Sequence, residues 1–244
     1  MGITDYIFPK KCVVCKKQGS YLCENCFSFL SFDPKSLCLL CNQPTFNNLT
    51  HPRCKRKYAI DGCFSALSYN KTVQKLIYNF KYKPYLTDLK NVLTDLFYES
   101  IIQNEQFQTQ IKNPSTSSGW IFVPIPLSNT KLRKRGYNQA EILASELSKK
   151  LKIPVQNLLK RTRETKTQVG LTNLQRKLNV KEAFEIINLK SSIPSIPSSG
   201  PRGINQNILL VDDVATTGST LSEAAKILKK NGAKKVFGLT LARD

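Results

Sequence analysis

The clearest hydrophobic pattern in the chain is a run of four large aliphatic residues at positions 208–211. A continuous apolar run of this kind is typical of a strand that is covered on both faces, as in a parallel sheet. An amphipathic segment at residues 221–231 then predicts a helix, and Gly232 is suited to cap its C-terminus. This succession of strand, short loop and helix predicts an α/β fold.

Earlier parts of the chain show the same alternation of strand and helix patterns. The pattern predicts strands at residues 62–69, 120–127 and 236–241. It predicts helices that end near residue 80, that extend from about residue 86 to 102, and that carry Leu143, Leu147 and Leu151 on one face.

Three polar stretches separate these elements. Residues 103–119 predict an exposed loop. Residues 155–184 are basic and aperiodic, which predicts a mobile loop that could close over a bound polyphosphate. Residues 191–207 are rich in proline and serine and predict a surface excursion that is disordered in part.

All eight cysteines lie in the first 63 residues, which otherwise contain little periodic apolar pattern. The N-terminus has no apolar export signal, so a reducing compartment is expected, in which cysteines bind metal more often than they form disulfides. Two Cys-x2-Cys pairs at close spacing can place four thiolates around one tetrahedral zinc ion. We therefore predict a first structural zinc site with these ligands: Cys12, Cys15, Cys23 and Cys26.

A second set of metal ligands follows the first. His51-x2-Cys54 has the spacing of a zinc knuckle, and His51 is the only histidine in the chain. We predict a second structural zinc site with these ligands: Cys38, Cys41, His51 and Cys54. In the alternative arrangement Cys63 replaces His51; otherwise Cys63 packs as a small apolar residue at the start of the next strand.

The chain is strongly basic, with 37 Lys and Arg against 17 Asp and Glu and a net charge of +20. This balance favours phosphorylated small molecules, nucleic acid or an anionic membrane face, without choosing among them. No run of about 18 apolar residues occurs, which predicts a soluble protein without a membrane span. We expect a cytoplasmic location, with peripheral association at the inner face of the membrane as a further option.

Two adjacent carboxylates, Asp212 and Asp213, follow the aliphatic run. Ligands of open α/β sheets bind beyond the carboxyl ends of the strands, and a loop that enters a helix N-terminus suits a phosphate. The loop after the acids is rich in small and hydroxyl residues and lacks the lysine motif of P-loop proteins. The combination predicts a ligand with one phosphate and a diol, such as a sugar phosphate.

Positive charge is expected on the same side of the sheet. Residues 131–135 contain four basic side chains in five positions and follow the strand predicted at 120–127. A basic and aromatic turn at residues 81–84 follows the first long helix. The position of the 131–135 run after a strand end favours an anion site over a solvated helix face or a nucleic-acid patch.

Residues 208–220 resemble the phosphoribosyl-pyrophosphate (PRPP) motif of type I phosphoribosyltransferases. The chain as a whole resembles the ComF family of competence-associated, phosphoribosyltransferase-like proteins. The resemblance is carried by the cysteine module, Phe80-Lys81-Tyr82, residues 123–127, residues 135–139, residues 163–171 with Arg176 and Asn179, and residues 210–220. These motifs cover nearly the entire chain, and His51 stands where the family usually has a cysteine.

The resemblance implies a type I phosphoribosyltransferase-like fold, which is a doubly wound parallel sheet with a small N-terminal zinc-binding module. The module would comprise residues 1–63, and the phosphoribosyltransferase-like domain residues 64–244.

The resemblance also implies a PRPP site, with Mg²⁺ bridging the ribose hydroxyl and pyrophosphate oxygens. Asp212 and Asp213 would bind the ribose diol. The loop that binds the 5′-phosphate would comprise Val214, Ala215, Thr216, Thr217, Gly218, Ser219 and Thr220. The pyrophosphate would lie near Leu127, Ser128, Lys81, Arg135 and the loop around Arg163.

The implied function is a role in natural transformation, in handling incoming single-stranded DNA at the cytoplasmic side. The implied partners are a ComFA-like helicase and DNA-processing proteins, and the candidates for base stacking are Tyr58, Tyr82, Tyr85 and Tyr137. The alternative is an active phosphoribosyltransferase, of the glycosyltransferase class, that transfers phosphoribosyl to an acceptor and releases pyrophosphate. The sequence contains no recognisable base or acceptor-binding element, so neither catalytic residues nor an acceptor are predicted.

Overall fold

A computed structural model of the chain describes residues 9–83, 88–112, 119–163, 175, 180–187 and 203–244. Its strands are β1 (Gly62–Ser68), β2 (Trp120–Pro124), β3 (Leu159–Arg161), β4 (Phe184–Ile186), β5 (Asn207–Ala215) and β6 (Val236–Arg243). Its helices are α1 (Glu24–Phe27), α2 (Lys71–Tyr82), α3 (Leu89–Gln103), α4 (Glu105–Lys112), α5 (Asn129–Arg135), α6 (Gln139–Leu151) and α7 (Ser219–Lys230), with a 3-10 turn at Pro52–Cys54.

Four of these strands form a parallel sheet in the order β1–β6–β5–β2. One face is covered by α2, α3 and α6, which bury Leu76, Phe97 and Leu143 in a common core. The other face is covered by α7 and the β3–β4 hairpin, which contribute Leu221 and Phe184 to a second core. Because both faces are buried, β5 carries a continuous apolar run at residues 208–211, and the sheet is doubly wound as predicted.

The structure confirms most of the predicted elements. The strands predicted at 62–69, 120–127 and 236–241 are β1, β2 and β6. The predicted helices are α2, α3, α6 and α7, with α3 beginning at Leu89. The aliphatic run at 208–211 is part of β5, which continues through both carboxylates to Ala215.

The predicted exposed loop at 103–119 is wrong for residues 105–112, which form helix α4. The Asn104 side chain accepts the backbone N–H of Phe107 at 2.9 Å and so caps the helix. The Phe107 ring is buried edge-on against Phe64, with ring centroids 5.5 Å apart. A cap and a buried aromatic ring therefore order a segment that its polar composition assigns to a loop; residues 113–118 lie outside the described residues.

The mobile loop predicted at 155–184 is wrong at both ends. Val155 forms a parallel bridge to Phe122 in β2. The β3 and β4 strands then pair antiparallel, and Leu159 and Phe184 are buried under the sheet. The rest of this prediction, at residues 164–174 and 176–179, lies outside the described residues.

The surface excursion predicted at 191–207 is also wrong at its C-terminal end. Ile204 is buried, and its N–H donates to the Asn231 carbonyl at 2.8 Å. Asn207 is buried as the first residue of β5. Residues 191–202 lie outside the described residues.

The N-terminal module contains two copies of the same tight turn. The Lys16 N–H donates to the Cys12 carbonyl, and the Asn42 N–H to the Cys38 carbonyl, both at 2.8 Å. Lys16 and Asn42 both have positive φ, at 71° and 56°. The predicted domain boundary after residue 63 falls within β1 and stays a prediction.

No helix in the described part of the chain has both the length and the apolar character needed to cross a membrane.

Candidate functional site

Asp212 and Asp213 are near the C-terminal end of strand β5, at the carboxyl edge of the central sheet. Asp213 is buried and accepts a hydrogen bond from the Lys81 ammonium at 2.8 Å, which forms an ion pair with the end of α2. Asp212 is paired in register with Thr240 of β6, and its carboxylate accepts the Asp213 N–H at 2.8 Å. The structure thus brings Lys81 onto one of the two predicted ribose-binding acids.

The Asp212 carboxyl group lies in an environment that disfavours its charge. Burial raises its pKa and the negative charge of Asp213 raises it further, while Lys81 only partly offsets both effects, so the pKa is about 7. At neutral pH a bound proton and a bound ligand or cation would therefore compete for Asp212.

The raised pKa predicts how stability depends on pH. As pH rises from about 4 to 7, the unfolded carboxyl ionises near its ordinary value while folded Asp212 still holds its proton, so the free energy of unfolding should fall. Asp212→Asn removes this contribution, so its stability relative to the wild type should increase across this window and then level off. Urea denaturation of both proteins across the same pH range measures the difference; a pH-independent difference would contradict the assignment.

The loop after the acids has the geometry of an anion-binding turn. Gly218 has φ of 66° and precedes the first turn of α7, where the backbone N–H groups and the helix dipole favour negative charge. The Thr217 and Ser219 hydroxyls lie 2.8 Å apart at the same helix end. The loop rests on the N-terminal module, because a Cβ atom on Gly218 would lie 2.2 Å from Cδ2 of Leu39.

The end of β2 leads into a second polar region. Ser128 is buried, and its hydroxyl has no hydrogen-bond partner among the described residues. It immediately precedes α5, which ends at Arg135 and is followed by Gly136 in the left-handed conformation. Leu127, which lies between β2 and Ser128, is half-buried.

Arg135 links residues 80–82, which precede β2 in the chain, to residues 135–139, which follow it. Its Nη1 donates to Gln139 Oε1 at 2.8 Å, and its guanidinium lies 5.2 Å from the centre of the Tyr82 ring. The Tyr137 hydroxyl donates to the Phe80 carbonyl. Residues 80–82 and 135–139 therefore form one cluster, and Lys81 of this cluster contacts Asp213.

The first cysteine tetrad has the donor set of a structural zinc site. The sulfur atoms of Cys12, Cys15, Cys23 and Cys26 all lie within 4.8 Å of one another. Burial raises the pKa of Cys12, but backbone N–H donors including those of Cys15 and Cys23 outweigh it and lower the pKa to about 6. The thiolate that a zinc ion requires is thus favoured at Cys12, whereas burial and the neighbouring sulfurs raise the pKa of Cys26 to about 12.

The second tetrad consists of Cys38, Cys41, His51 and Cys54, with ligand atoms again within 4.8 Å of one another. His51 Nδ1 lies 3.2 Å from the Cys41 sulfur, and Nε2 lies 2.8 Å from the Pro44 carbonyl oxygen. An Nε2–H that donates to this carbonyl leaves Nδ1 free to bind metal, as is usual for histidine ligands. Cys63 lies outside this tetrad, buried in β1 against Gly238.

Known protein families match both the cysteine module and the domain that follows it. The double zinc ribbon domain matches residues 3–56, and the phosphoribosyl transferase domain matches residues 135–243. Competence protein F of Haemophilus influenzae is 30% identical over 240 residues, which cover 92% of this chain and 97% of that protein. The chain belongs to the ComF family. Its fold is that of a phosphoribosyltransferase with an N-terminal zinc-binding module.

Two further relatives lie within the same range of identity. The DNA utilization protein YhgH of Escherichia coli is 29% identical over 225 residues, covering 91% of this ComF-family chain and 90% of that protein. The competence protein ComFC of Bacillus subtilis is 26% identical over 236 residues, covering 93% of this chain and 86% of that protein.

Sequence reasoning missed two features of this ComF-family chain. The contact between Leu39 and Gly218 joins the zinc module to the loop that follows Asp212 and Asp213; the only signal was a pair of leucines between Cys38 and Cys41. The most exposed aromatic rings of the module were also missed: Phe27, Phe29, Phe32 and Phe46.

The tyrosines that are candidates for base stacking differ in how exposed their rings are and in what the rings contact. Tyr58 lies under Lys57 and Lys230, with distances of 5.4 Å and 6.0 Å to its ring centre. The Tyr137 hydroxyl is hydrogen-bonded and its ring is partly buried. Tyr82 is 44% exposed beside Arg135, and Tyr85 lies outside the described residues.

Proposed function

We propose that this chain binds PRPP, together with Mg²⁺, at the carboxyl ends of β2 and β5, and that it acts in natural transformation. The observation that carries the proposal is the arrangement at the end of β5. Asp212 and Asp213 are followed directly by a hydroxyl-rich loop and the N-terminus of α7. Carboxylates accept hydrogen bonds from a diol, and the helix N-terminus binds a phosphate, so one sugar phosphate would satisfy both.

The positive charges lie where the pyrophosphate of this ligand would be expected. Lys81 contacts Asp213, and Arg135 is held beside Tyr82, the residue that follows Lys81. The Ser128 hydroxyl offers a further polar atom without a partner in the described structure. When bound, Mg²⁺ would neutralise part of the pyrophosphate charge, and Asp212 and Asp213 would be the carboxylates that hold it.

Isothermal titration calorimetry of the zinc-loaded protein with PRPP and Mg²⁺ tests this proposal. We expect one binding site per chain, and weaker binding of ribose 5-phosphate because it lacks the pyrophosphate. The absence of binding heat for PRPP at several temperatures would refute the assignment.

The proposed biological role rests on relatives that are called competence and DNA utilization proteins. We propose that the partner at the cytoplasmic side is incoming single-stranded DNA, together with a ComFA-like helicase and DNA-processing proteins. Exposed aromatic rings beside basic side chains suit single-stranded nucleic acid, because bases stack on the rings and phosphates pair with the cations. In the zinc module Phe29 and Phe46 are 66% and 90% exposed, and residues 55–57 supply three exposed basic side chains.

A DNA-binding experiment should distinguish the contribution of base stacking from that of phosphate contacts. Replacing Phe29 and Phe46 by alanine should weaken binding of a labelled oligonucleotide by about 1–3 kcal/mol for each stacked base, because stacking is lost. The salt dependence of binding should remain steep and unchanged, because the phosphate contacts persist. Fluorescence anisotropy at several salt concentrations measures both; equal affinity of variant and wild type would rule out stacking at these rings.

The alternative function is catalysis, in which PRPP donates its phosphoribosyl group to an acceptor. Incubation with PRPP, Mg²⁺ and a cell extract should then release pyrophosphate and produce a ribosylated product. Binding of PRPP without release of pyrophosphate would favour the binding function over the enzyme.

A further inference from the structure

A cavity of about 580 Å³ lies between the second cysteine tetrad and helix α7. Its lining comes from residues 40, 53–54 and 56–60 on one side and from residues 222, 223 and 226 of α7 on the other. The volume is within the range of roughly 300–1,000 Å³ that is usual for small-molecule sites. Among the described residues, none that we assign to PRPP binding lines this cavity, so it is a separate feature of the molecule.

The lining of the cavity is strongly basic. It carries four basic side chains and one acidic side chain: Arg53, Arg56, Lys57 and Lys226 against Glu223. The Glu223 carboxylate is already engaged, because it accepts hydrogen bonds from the Lys226 ammonium at 3.4 Å and from the Glu182 N–H at 3.2 Å. Within the part of the chain that the structure describes, no ion pair joins Arg53, Arg56 or Lys57 to a carboxylate. The cavity therefore has an excess of positive charge, which favours an anionic ligand.

Tyr58 holds positive charge together at one wall of the cavity. The ammonium groups of Lys57 and Lys230 lie 5.4 Å and 6.0 Å from the centre of its ring. The electron-rich face of the ring attracts both cations, but the two ammonium groups also repel each other. A bound anion would relieve this repulsion.

The rest of the lining suits the less charged part of a nucleotide. Leu40 and Ile60 belong to the second core and give the cavity an apolar wall beside the Tyr58 ring. The Ser222 hydroxyl is buried and has no hydrogen-bond partner in the described structure. A nucleotide combines a phosphate for the cations, a planar base for the wall and polar groups that can reach Ser222.

The segment that carries most of these side chains is fixed by hydrogen bonds. The Ala59 N–H donates to the Arg56 carbonyl at 2.9 Å, which closes a turn. The Thr50 hydroxyl donates to the Ile60 carbonyl at 2.6 Å. The wall is thus ordered before a ligand binds, which lowers the entropic cost of binding.

We propose that this cavity binds a nucleotide, either free or as one unit of a single-stranded DNA chain. Arg56 and Lys57 hold the phosphate, and the wall beside Tyr58 accepts the sugar and base. With DNA as the source, the inference rests on the proposed DNA-binding function and assigns it a pocket. With a free nucleotide as the source it is independent of that function, and in neither case does it depend on PRPP binding.

Two charge-matched double variants of the full-length, zinc-loaded chain test the proposal. Arg56→Gln with Lys57→Gln removes two charges from the cavity, whereas Lys11→Gln with Lys17→Gln removes two exposed charges from the first zinc turn. Ala59→Phe narrows the cavity without changing its charge. Calorimetry measures binding of thymidine monophosphate and of inorganic phosphate, and fluorescence anisotropy measures binding of a labelled oligothymidylate at several salt concentrations. Native mass spectrometry, which gives the zinc stoichiometry, and circular dichroism show that each variant is folded.

We expect the cavity double variant to bind thymidine monophosphate about 10-fold more weakly or worse, because hydrogen bonds to a charged group are lost. If DNA is the source, oligothymidylate also binds more weakly, and the slope of log affinity against log salt falls by about 0.7 for each lost phosphate contact. A loss for thymidine monophosphate alone identifies a free nucleotide as the source. Ala59→Phe should weaken the same probe, and the Lys11 and Lys17 control should match the wild type.

Four results would overturn the proposal. The first is that the wild type binds neither probe, and the second is wild-type affinity for both probes in the cavity double variant or in Ala59→Phe. The third is an equal loss in the Lys11 and Lys17 control, because general surface charge would then suffice. The fourth is inorganic phosphate that binds as tightly as thymidine monophosphate. A wild type that binds thymidine monophosphate but not oligothymidylate contradicts the proposed DNA-binding function while supporting the cavity as a site for a free nucleotide.

Discussion

Replacing Asp212 and Asp213 together by asparagine should weaken PRPP binding by a factor of about 100 or more. A hydrogen bond to a charged group contributes about 1.5–3 kcal/mol, and asparagine keeps the shape but loses the charge that strengthens the bond to a ribose hydroxyl. The fold should remain, because the replacement preserves volume. Calorimetry with PRPP and Mg²⁺ measures the loss of affinity.

Asp95→Asn is the matched control for this variant. Asp95 also pairs with a lysine, Lys150, at 3.0 Å, but its side chain is 61% exposed on α3. This control should bind PRPP like the wild type. If the double variant also retained wild-type affinity, the ligand would have to be placed elsewhere.

The two single variants should differ from each other near neutral pH. Asp213 is engaged by Lys81, whereas the pKa of Asp212 is raised to about 7 by burial and by Asp213. Asp213→Asn removes a negative charge and frees the Lys81 ammonium, whereas Asp212→Asn replaces a group that is partly protonated already. We therefore expect Asp213→Asn to change PRPP affinity more below pH 7 than Asp212→Asn does.

Replacing Gly218 by alanine should lower the free energy of unfolding by about 2–5 kcal/mol. Left-handed backbone costs a residue with a Cβ atom about 1–2 kcal/mol, and overpacking costs a further 1–3 kcal/mol. Both costs apply here, because φ is 66° and the new Cβ would lie 2.2 Å from Leu39 Cδ2. Urea denaturation measures the loss, and PRPP affinity should fall with it because the loop must move.

Gly136→Ala separates the two contributions. Gly136 also has positive φ, at 80°, but a Cβ atom there would meet no atom within 4 Å. It should therefore show the backbone cost without the overpacking cost. Leu39→Ala combined with Gly218→Ala should be less destabilised than the sum of the single variants. Equal losses for Gly136→Ala and Gly218→Ala would indicate that Leu39 simply moves aside.

The sequence was sufficient to predict the elements whose signal is local. The aliphatic run of β5 and the one-sided apolar spacing of α2 and α7 follow directly from burial on a sheet. The cysteine spacings likewise predict two tetrads, because two residues between ligands suffice to close a turn around one metal ion.

The features that could not be predicted depend on contacts between distant parts of the chain. Helix α4 is polar and is held by the burial of Phe107 against Phe64 in β1. Lys81 and Asp213 are each recognisable as site residues, but their pairing across 132 positions of sequence follows from the packing of α2 in the common core on one face of the sheet. The burial of Arg243, the last residue of β6, could not be predicted either, because charged residues are seldom fully buried.

The ion pair between Lys81 and Asp213 also bears on the order in which ligands bind. A free divalent cation that reaches the end of β5 meets one carboxylate already neutralised by an ammonium group and another whose pKa is raised to about 7. Neither is a strong ligand for a bare metal ion at neutral pH. Under the proposed function, Mg²⁺ would therefore bind as a complex with PRPP, and the pyrophosphate would compete with Asp213 for Lys81.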